Sequence, residues 1–194
     1  MYVSILKQLW RADFEMNSWK TIDVAKQYGS CRLIFFAVFT ILLSFVLIYT
    51  LLSVFLTHVI LYGDQTMVFF SLLLLLYPVH KLLHYLPLRL LCKKVKTSWS
   101  LKWNLVLTCK VNVHVPIRKH LYLLTLVLPF VIMSVILIGC ALSFPHYIHY
   151  FTILLSLHTG LCVSDFIYIK NLIGSPRHSF IEEHLEGYDI LIQK

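Results

Sequence analysis

Two histidines four residues apart, His80 and His84, are side chains whose type and spacing could do chemistry. On an α-helix four residues turn about 400°, so the two imidazoles share a face about 6 Å apart. A pair placed this way can bind one zinc ion, as in a His-Glu-x-x-His helix. Here the residue after the first histidine is Lys81, where that motif carries its glutamate. The surrounding segment, Tyr77-Pro78-Val79-His80-Lys81-Leu82-Leu83-His84-Tyr85-Leu86-Pro87, interrupts a long apolar run.

That run belongs to a chain of 194 residues that is 59% hydrophobic and only 13% charged. Soluble globular proteins carry about 25% charged residues, so an ordinary soluble domain is excluded. The apolar residues fall in long stretches, which predict a membrane all-α protein with about four transmembrane helices. The spans read as Leu33 to Tyr62, Thr66 to Leu91, Leu121 to Ser143 and Tyr147 to Leu172. The first, at 1.5 Å per residue, would be about 45 Å long and would have to tilt or project beyond a hydrocarbon core of about 30 Å. In the second, Pro78 and Pro87 each lack an N–H, which predicts a break at Pro78 and a kink or stop near Pro87. Residues 1–32 are mixed polar and show no signal peptide, so the first span is expected to persist as an anchor.

Charge placement orients the spans. Of the 17 Lys and Arg, five precede the first span, nine lie between Lys81 and Lys119, and three follow; the two turns at Gly63-Asp64-Gln65 and Phe144-Pro145-His146 carry none. The positive-inside rule then places both termini and the 92–120 segment in the cytoplasm, with Tyr62, Tyr147 and Tyr150 at the outer interface. The formal net charge of +8 therefore reads as attraction to anionic lipid headgroups, the lipid bilayer being the partner, and not nucleic acid.

Outside the spans, residues 1–32 read as a cytoplasmic segment of two short amphipathic pieces, Tyr2 to Phe14 and Trp19 to Tyr28, the second stopped by Gly29 and both lying on the membrane surface. From Trp103 to Ile117 apolar residues occupy every second position, a strand period, which predicts a small cytoplasmic β insertion within 93–120. In the tail, Ser179-Phe180-Ile181-Glu182 matches a capping box and predicts a short helix, followed by a strand over Tyr188 to Ile192. The domain organisation is thus 1–32, a four-span membrane domain over 33–172, and a cytoplasmic tail over 173–194.

This topology returns to the histidines. The second and fourth spans run in the same direction, so His84 and Asp165 should lie at similar depth near the cytoplasmic side, with His80 and His158 at a common, deeper level. His158 and Asp165, seven residues apart, turn about 700° and share a helix face. Four potential metal ligands, His80, His84, Asp165 and His158, can therefore converge between two helices. Ionisable groups inside a membrane are costly and face a bundle interior. The bland alternatives are an ion pair from Asp165 to Lys81 or Lys170, and hydrogen-bonded packing for the histidines. His146 and His149 read as solvated residues at the outer interface. The five cysteines are scattered without a Cys-x-x-Cys, which predicts no disulfide framework, and Cys162 reads as apolar filler.

On these residues a family resemblance rests. His80-Lys81-Leu82-Leu83-His84-x-x-Pro87, the segment His158 to Asp165, and the tail Ile181-Glu182-Glu183-His184-Leu185-Glu186-Gly187-Tyr188 resemble a family of small bacterial membrane proteins described as putative zincin peptidases, similar in layout to site-2-protease-type intramembrane metalloproteases. The resemblance implies a bacterial plasma-membrane location, zinc as cofactor, and His80, His84 and Asp165 as its ligands. It also places Lys81 where a general-base glutamate would accept a proton from water, a role an ammonium cannot fill. The sequence thus reads as a zincin-like membrane protein without a confident catalytic residue, a non-catalytic member that binds membrane-protein or peptide segments near strand 103–117. The alternative is an active zinc-dependent intramembrane protease acting on membrane proteins.

Overall fold

Long apolar runs form helices because an unpaired backbone amide in an apolar surrounding costs several kcal/mol, and a helix pairs them all within one segment. The computed structural model of the protein describes residues 16–56, 59–91, 96–100, 108–112, 116–183 and 187–193. In chain order the elements are β1 (Met16–Ile22), α1 (Val24–Tyr28), α2 (Ser30–Phe55), α3 (Thr66–Leu91), β2 (Lys96–Ser100), β3 (Thr108–Asn112), β4 (Ile117–Arg118), α4 (Lys119–Ser143), a 3-10 turn (Pro145–Tyr147), α5 (Ile148–Leu161), α6 (Val163–Ile173), β5 (Ser179–Glu183) and β6 (Tyr188–Gln193). Helices α2, α3 and α4 are each long and apolar enough to cross a membrane, and α5 with α6 makes a fourth if that bent pair is one span.

The chain divides into two compact units. The first comprises residues 30–84 and 126–166. Its core joins Leu76 of α3, Met133 and Leu137 of α4, and Leu154 and Leu155 of α5, with a second cluster of Leu52, Ala141 and Ile148. Helices α2 and α5 pack closely. A Cβ on Gly160 would fall 2.3 Å from Cγ1 of Ile41 and 3.2 Å from the carbonyl oxygen of Ala37, so glycine is what lets the two backbones approach. The opposite side of α2 leaves Phe35, Phe39, Leu42, Val46 and Leu47 exposed, the surface expected of a helix solvated by lipid.

The second unit comprises residues 1–29, 85–125 and 167–194. It contains a four-stranded antiparallel sheet in the order β1-β6-β5-β4. Strand β6 is central. Ile190 and Leu191 are both fully buried, although successive side chains of a strand point to opposite faces, so both faces of β6 are covered. Register is set by pairs such as Ile22↔Tyr188, Glu182↔Asp189 and Ile117↔Ile181. Strands β2 and β3 form a separate antiparallel pair. Nζ of Lys119 donates to the carbonyl oxygens of Ile173 (3.2 Å) and Ser175 (2.6 Å), capping the end of α6.

Several expectations are corrected. The first helix ends at Phe55, not Tyr62; its 26 residues make about 39 Å. Helix α3 runs unbroken through Pro78 and Pro87, because losing two hydrogen bonds costs less in an apolar surrounding than unpairing a whole turn. The fourth run is not one straight helix but two, bent by 41° at Cys162. Residues 19–22 belong to β1, paired with β6 and not laid on a surface as an amphipathic piece; only the short α1 remains helical there, and Gly29 ends it with φ 78°. Ser179–Glu183 is strand β5 and not a capped helix, since pairing with β6 on one side and β4 on the other outweighs a weak local capping signal. The strand over Tyr188–Ile192 forms as expected. Of the alternating segment, 108–112 and 117–118 are strand. Residues 103–107 and 113–115, the piece Tyr2 to Phe14, and His58 lie outside the described residues.

Candidate metal centre

Every residue of the centre lies in the first unit, on three pieces of backbone. His80 and His84 stand one turn apart on α3, and their Nε2 atoms are 3.1 Å from one another. His158 lies in the last turn of α5. Asp165 lies in the first turn of α6, where the partial positive charge of a helix N-terminus favours a carboxylate. The bend between α5 and α6 starts a new N-terminus beside the histidines, which an unbroken span would not have provided.

Oδ2 of Asp165 is 3.4 Å from Nε2 of His80 and 3.4 Å from Nε2 of His84. Among the described residues its ionic partners are therefore these two histidines and not Lys81. The oxygen is buried and accepts no well-directed hydrogen bond. Asp165 is 7% exposed and His80 2%, so a carboxylate is held out of water with two imidazole nitrogens at its Oδ2.

These three atoms fit a metal. Tetrahedral zinc with Zn–N of about 2.0–2.1 Å has ligand-to-ligand edges of about 3.3 Å. The triangle of His80 Nε2, His84 Nε2 and Asp165 Oδ2 has edges of 3.1, 3.4 and 3.4 Å. Two imidazoles and one carboxylate are also a donor set that zinc takes with an open fourth position. The group could hold a metal ion.

A family model described as "Putative zincin peptidase" matches residues 72–180, more than half of the chain. The chain belongs to that family. The matched region contains His80, His84, His158 and Asp165, and also Lys81. No curated protein and no solved structure matches the chain.

Lys81 follows His80 on α3. Its Nζ lies 5.8 Å from the centroid of the Tyr77 ring, one turn back on α3, in cation–π geometry. His158 faces the other side of His80: its Nε2 is 3.3 Å from Nδ1 of His80. The structure brings together His80, His84, Asp165 and His158, but His158 does not join the Asp165 triangle.

Cys162 was read as filler, and it is not placed as filler. Its Sγ lies 3.6 Å from Nε2 of His158 and 4.0 Å from Nδ1 of His80. The signal for it was the i,i+4 spacing of His158 and Cys162, the same spacing that marks His80 and His84. His146 is exposed, as expected; its Nδ1–H donates to the carbonyl of Ile60 (2.8 Å), and its ring stacks on Tyr62 at 4.5 Å between centroids. His149 departs from the expectation of a solvated residue: it is half-buried, with Nδ1 sealed from water.

Proposed function

We propose that this zincin-family member is a multi-pass membrane protein that binds zinc through His80, His84 and Asp165 without cleaving peptides. It uses the scaffold to bind segments of other membrane proteins. The observation that carries the reading is the triangle of 3.1, 3.4 and 3.4 Å edges with a lysine at the next position on α3. Zinc held there would supply Lewis-acid polarisation at its open position. The chain's own residues do the rest. His80 and His84 present imidazole nitrogens from one helix turn, and Asp165 would offset half of a dication's charge. Hydrolysis also needs a base, and a lysine ammonium has no lone pair with which to accept a proton. Beside a dication it adds repulsion instead.

The orientation follows from charge placement, with both termini and the segment around 93–120 in the cytoplasm. A basic segment of strand-like alternation near 103–117 suits an extended peptide added edge to edge, the mode of recognition in which backbone hydrogen bonds supply affinity.

The test is metal content of the purified full chain, for wild type and His80→Ala. We expect stoichiometric zinc in the wild type and its loss in the variant, and absence of stoichiometric zinc from both would overturn the ligand assignment. Cleavage of a membrane-protein substrate by the wild type, abolished in His84→Ala, would overturn the non-catalytic reading.

A further inference from the structure

The proposed zinc site uses only one nitrogen of His80. The other, Nδ1, belongs to a second group of donor atoms. It lies 3.3 Å from Nε2 of His158 and 4.0 Å from Sγ of Cys162, and those two are 3.6 Å apart. All three residues are sealed from water: His80 is 2%, His158 0% and Cys162 1% exposed. His158 and Cys162 stand one turn apart, at the end of α5 and at the bend that follows it.

Two edges of this triangle are those of a metal face, and the third, 4.0 Å, is about 0.4 Å longer than one. Around tetrahedral zinc, with Zn–N about 2.0–2.1 Å and Zn–S about 2.3 Å, nitrogen-to-nitrogen edges are about 3.3 Å and sulfur-to-nitrogen edges about 3.6 Å. The charges balance as well. A thiolate and an imidazolate together cancel the charge of a divalent ion, which an apolar interior requires of any buried charge. The rival arrangement is a hydrogen-bonded layer behind a single ion, with Nδ1–H of His80 donating to Nε2 of His158. That layer leaves the Cys162 thiol to compete for Nε2 of His158, 3.6 Å away, which already accepts from His80, or for Nδ1 of His80, 4.0 Å away, which is then itself a donor.

We propose that His80, His158 and Cys162 form a second site, for a divalent thiophilic transition-metal ion, with the His80 ring bridging it to the first. The donor atoms are mutually within reach of one ion. Occupancy of both sides of His80 leaves its ring as imidazolate and Cys162 as thiolate. Binding of the second ion therefore releases the ring proton and the thiol proton to solvent, and no electron is transferred. The bridge uses the zinc reading above, but the thiolate site is tested apart from it.

The experiment is a titration of the metal-free full chain in detergent micelles with Co²⁺. We expect two equivalents to bind, with a sulfur-to-cobalt charge-transfer band in the near ultraviolet. Cys162→Ser should bind one equivalent and lose the band; His84→Ala should bind one equivalent and keep it. Should Cys162→Ser fail to fold, His158→Ala is expected to lose one equivalent and the band. One equivalent without the band in the wild type, lost in His84→Ala, would establish the hydrogen-bonded layer and overturn the second site while sparing the first. A band that persists in Cys162→Ser would place the sulfur ligand elsewhere and overturn it too. One equivalent with the band, indifferent to His84→Ala but lost in Cys162→Ser, would overturn the first site and support this one.

Discussion

Nε2 of His84 lies 3.4 Å from Oδ2 of Asp165, although the two residues come from the second and fourth apolar runs of the chain. A carboxylate enclosed this way is useful when a cation shares it. Asp165→Asn keeps the shape and removes the charge. We expect zinc affinity to fall by more than the roughly 10- to 100-fold typical of losing an outer-layer partner, read by competition with a chelator of known affinity. Stripping the metal from the wild type should also lower its unfolding midpoint, since zinc at 100 times its Kd stabilises by about 2.7 kcal/mol. Unchanged affinity in Asp165→Asn would remove this residue from the ligand set.

Lys81 holds the position after His80, with Nζ over the Tyr77 ring. Lys81→Glu restores a carboxylate where a zincin carries its base. A positioned general base contributes about 10²- to 10⁴-fold, so hydrolysis of a membrane-protein substrate should rise by roughly 10²-fold or more over wild type and vanish when His84→Ala is added. If Lys81→Glu gains nothing while binding zinc normally, the absent carboxylate is not what keeps this chain from hydrolysing peptides.

Gly160 lies on α5 against α2, where an added Cβ would meet Ile41 at 2.3 Å and the Ala37 carbonyl at 3.2 Å. Gly160→Ala should push the helices apart and destabilise the fold by about 1–3 kcal/mol, despite alanine's better helix propensity. Denaturant unfolding in micelles measures this. A variant as stable as wild type would show that the two helices can separate freely.

Lys119 is buried, and its ammonium group serves the carbonyls of Ile173 and Ser175. Lys119→Met retains the stem and removes the donors. Leaving buried acceptors unpaired costs about 1–3 kcal/mol, so the unfolding free energy should drop by that amount without change in zinc stoichiometry. A loss of zinc together with stability would assign Lys119 a role in the metal centre instead.

What could be read without a structure was whatever repeats over a few residues. The second span was expected over Thr66 to Leu91, and α3 has those bounds, because an apolar run and its flanking turn are local properties. The one-turn spacing of His80 and His84 is likewise fixed by helix geometry alone. The β6 strand was legible from its compact apolar stretch.

The rest was decided by segments meeting across the chain. Strand β1 pairs with β6, joining the two ends of the sequence, and no local period in Met16–Ile22 announces a partner so distant. The Ser179–Glu182 stretch carries a capping pattern, yet two flanking strands make it β5. Most consequentially, nothing local marks Cys162 as the point where the fourth run bends. The order of the residues places a cysteine four positions after His158. Only the packing of α3 against α5 and α6 turns that spacing into two triangles of donor atoms sharing one imidazole, since distances between side chains on different helices are fixed by tertiary contact and not by the sequence interval between them.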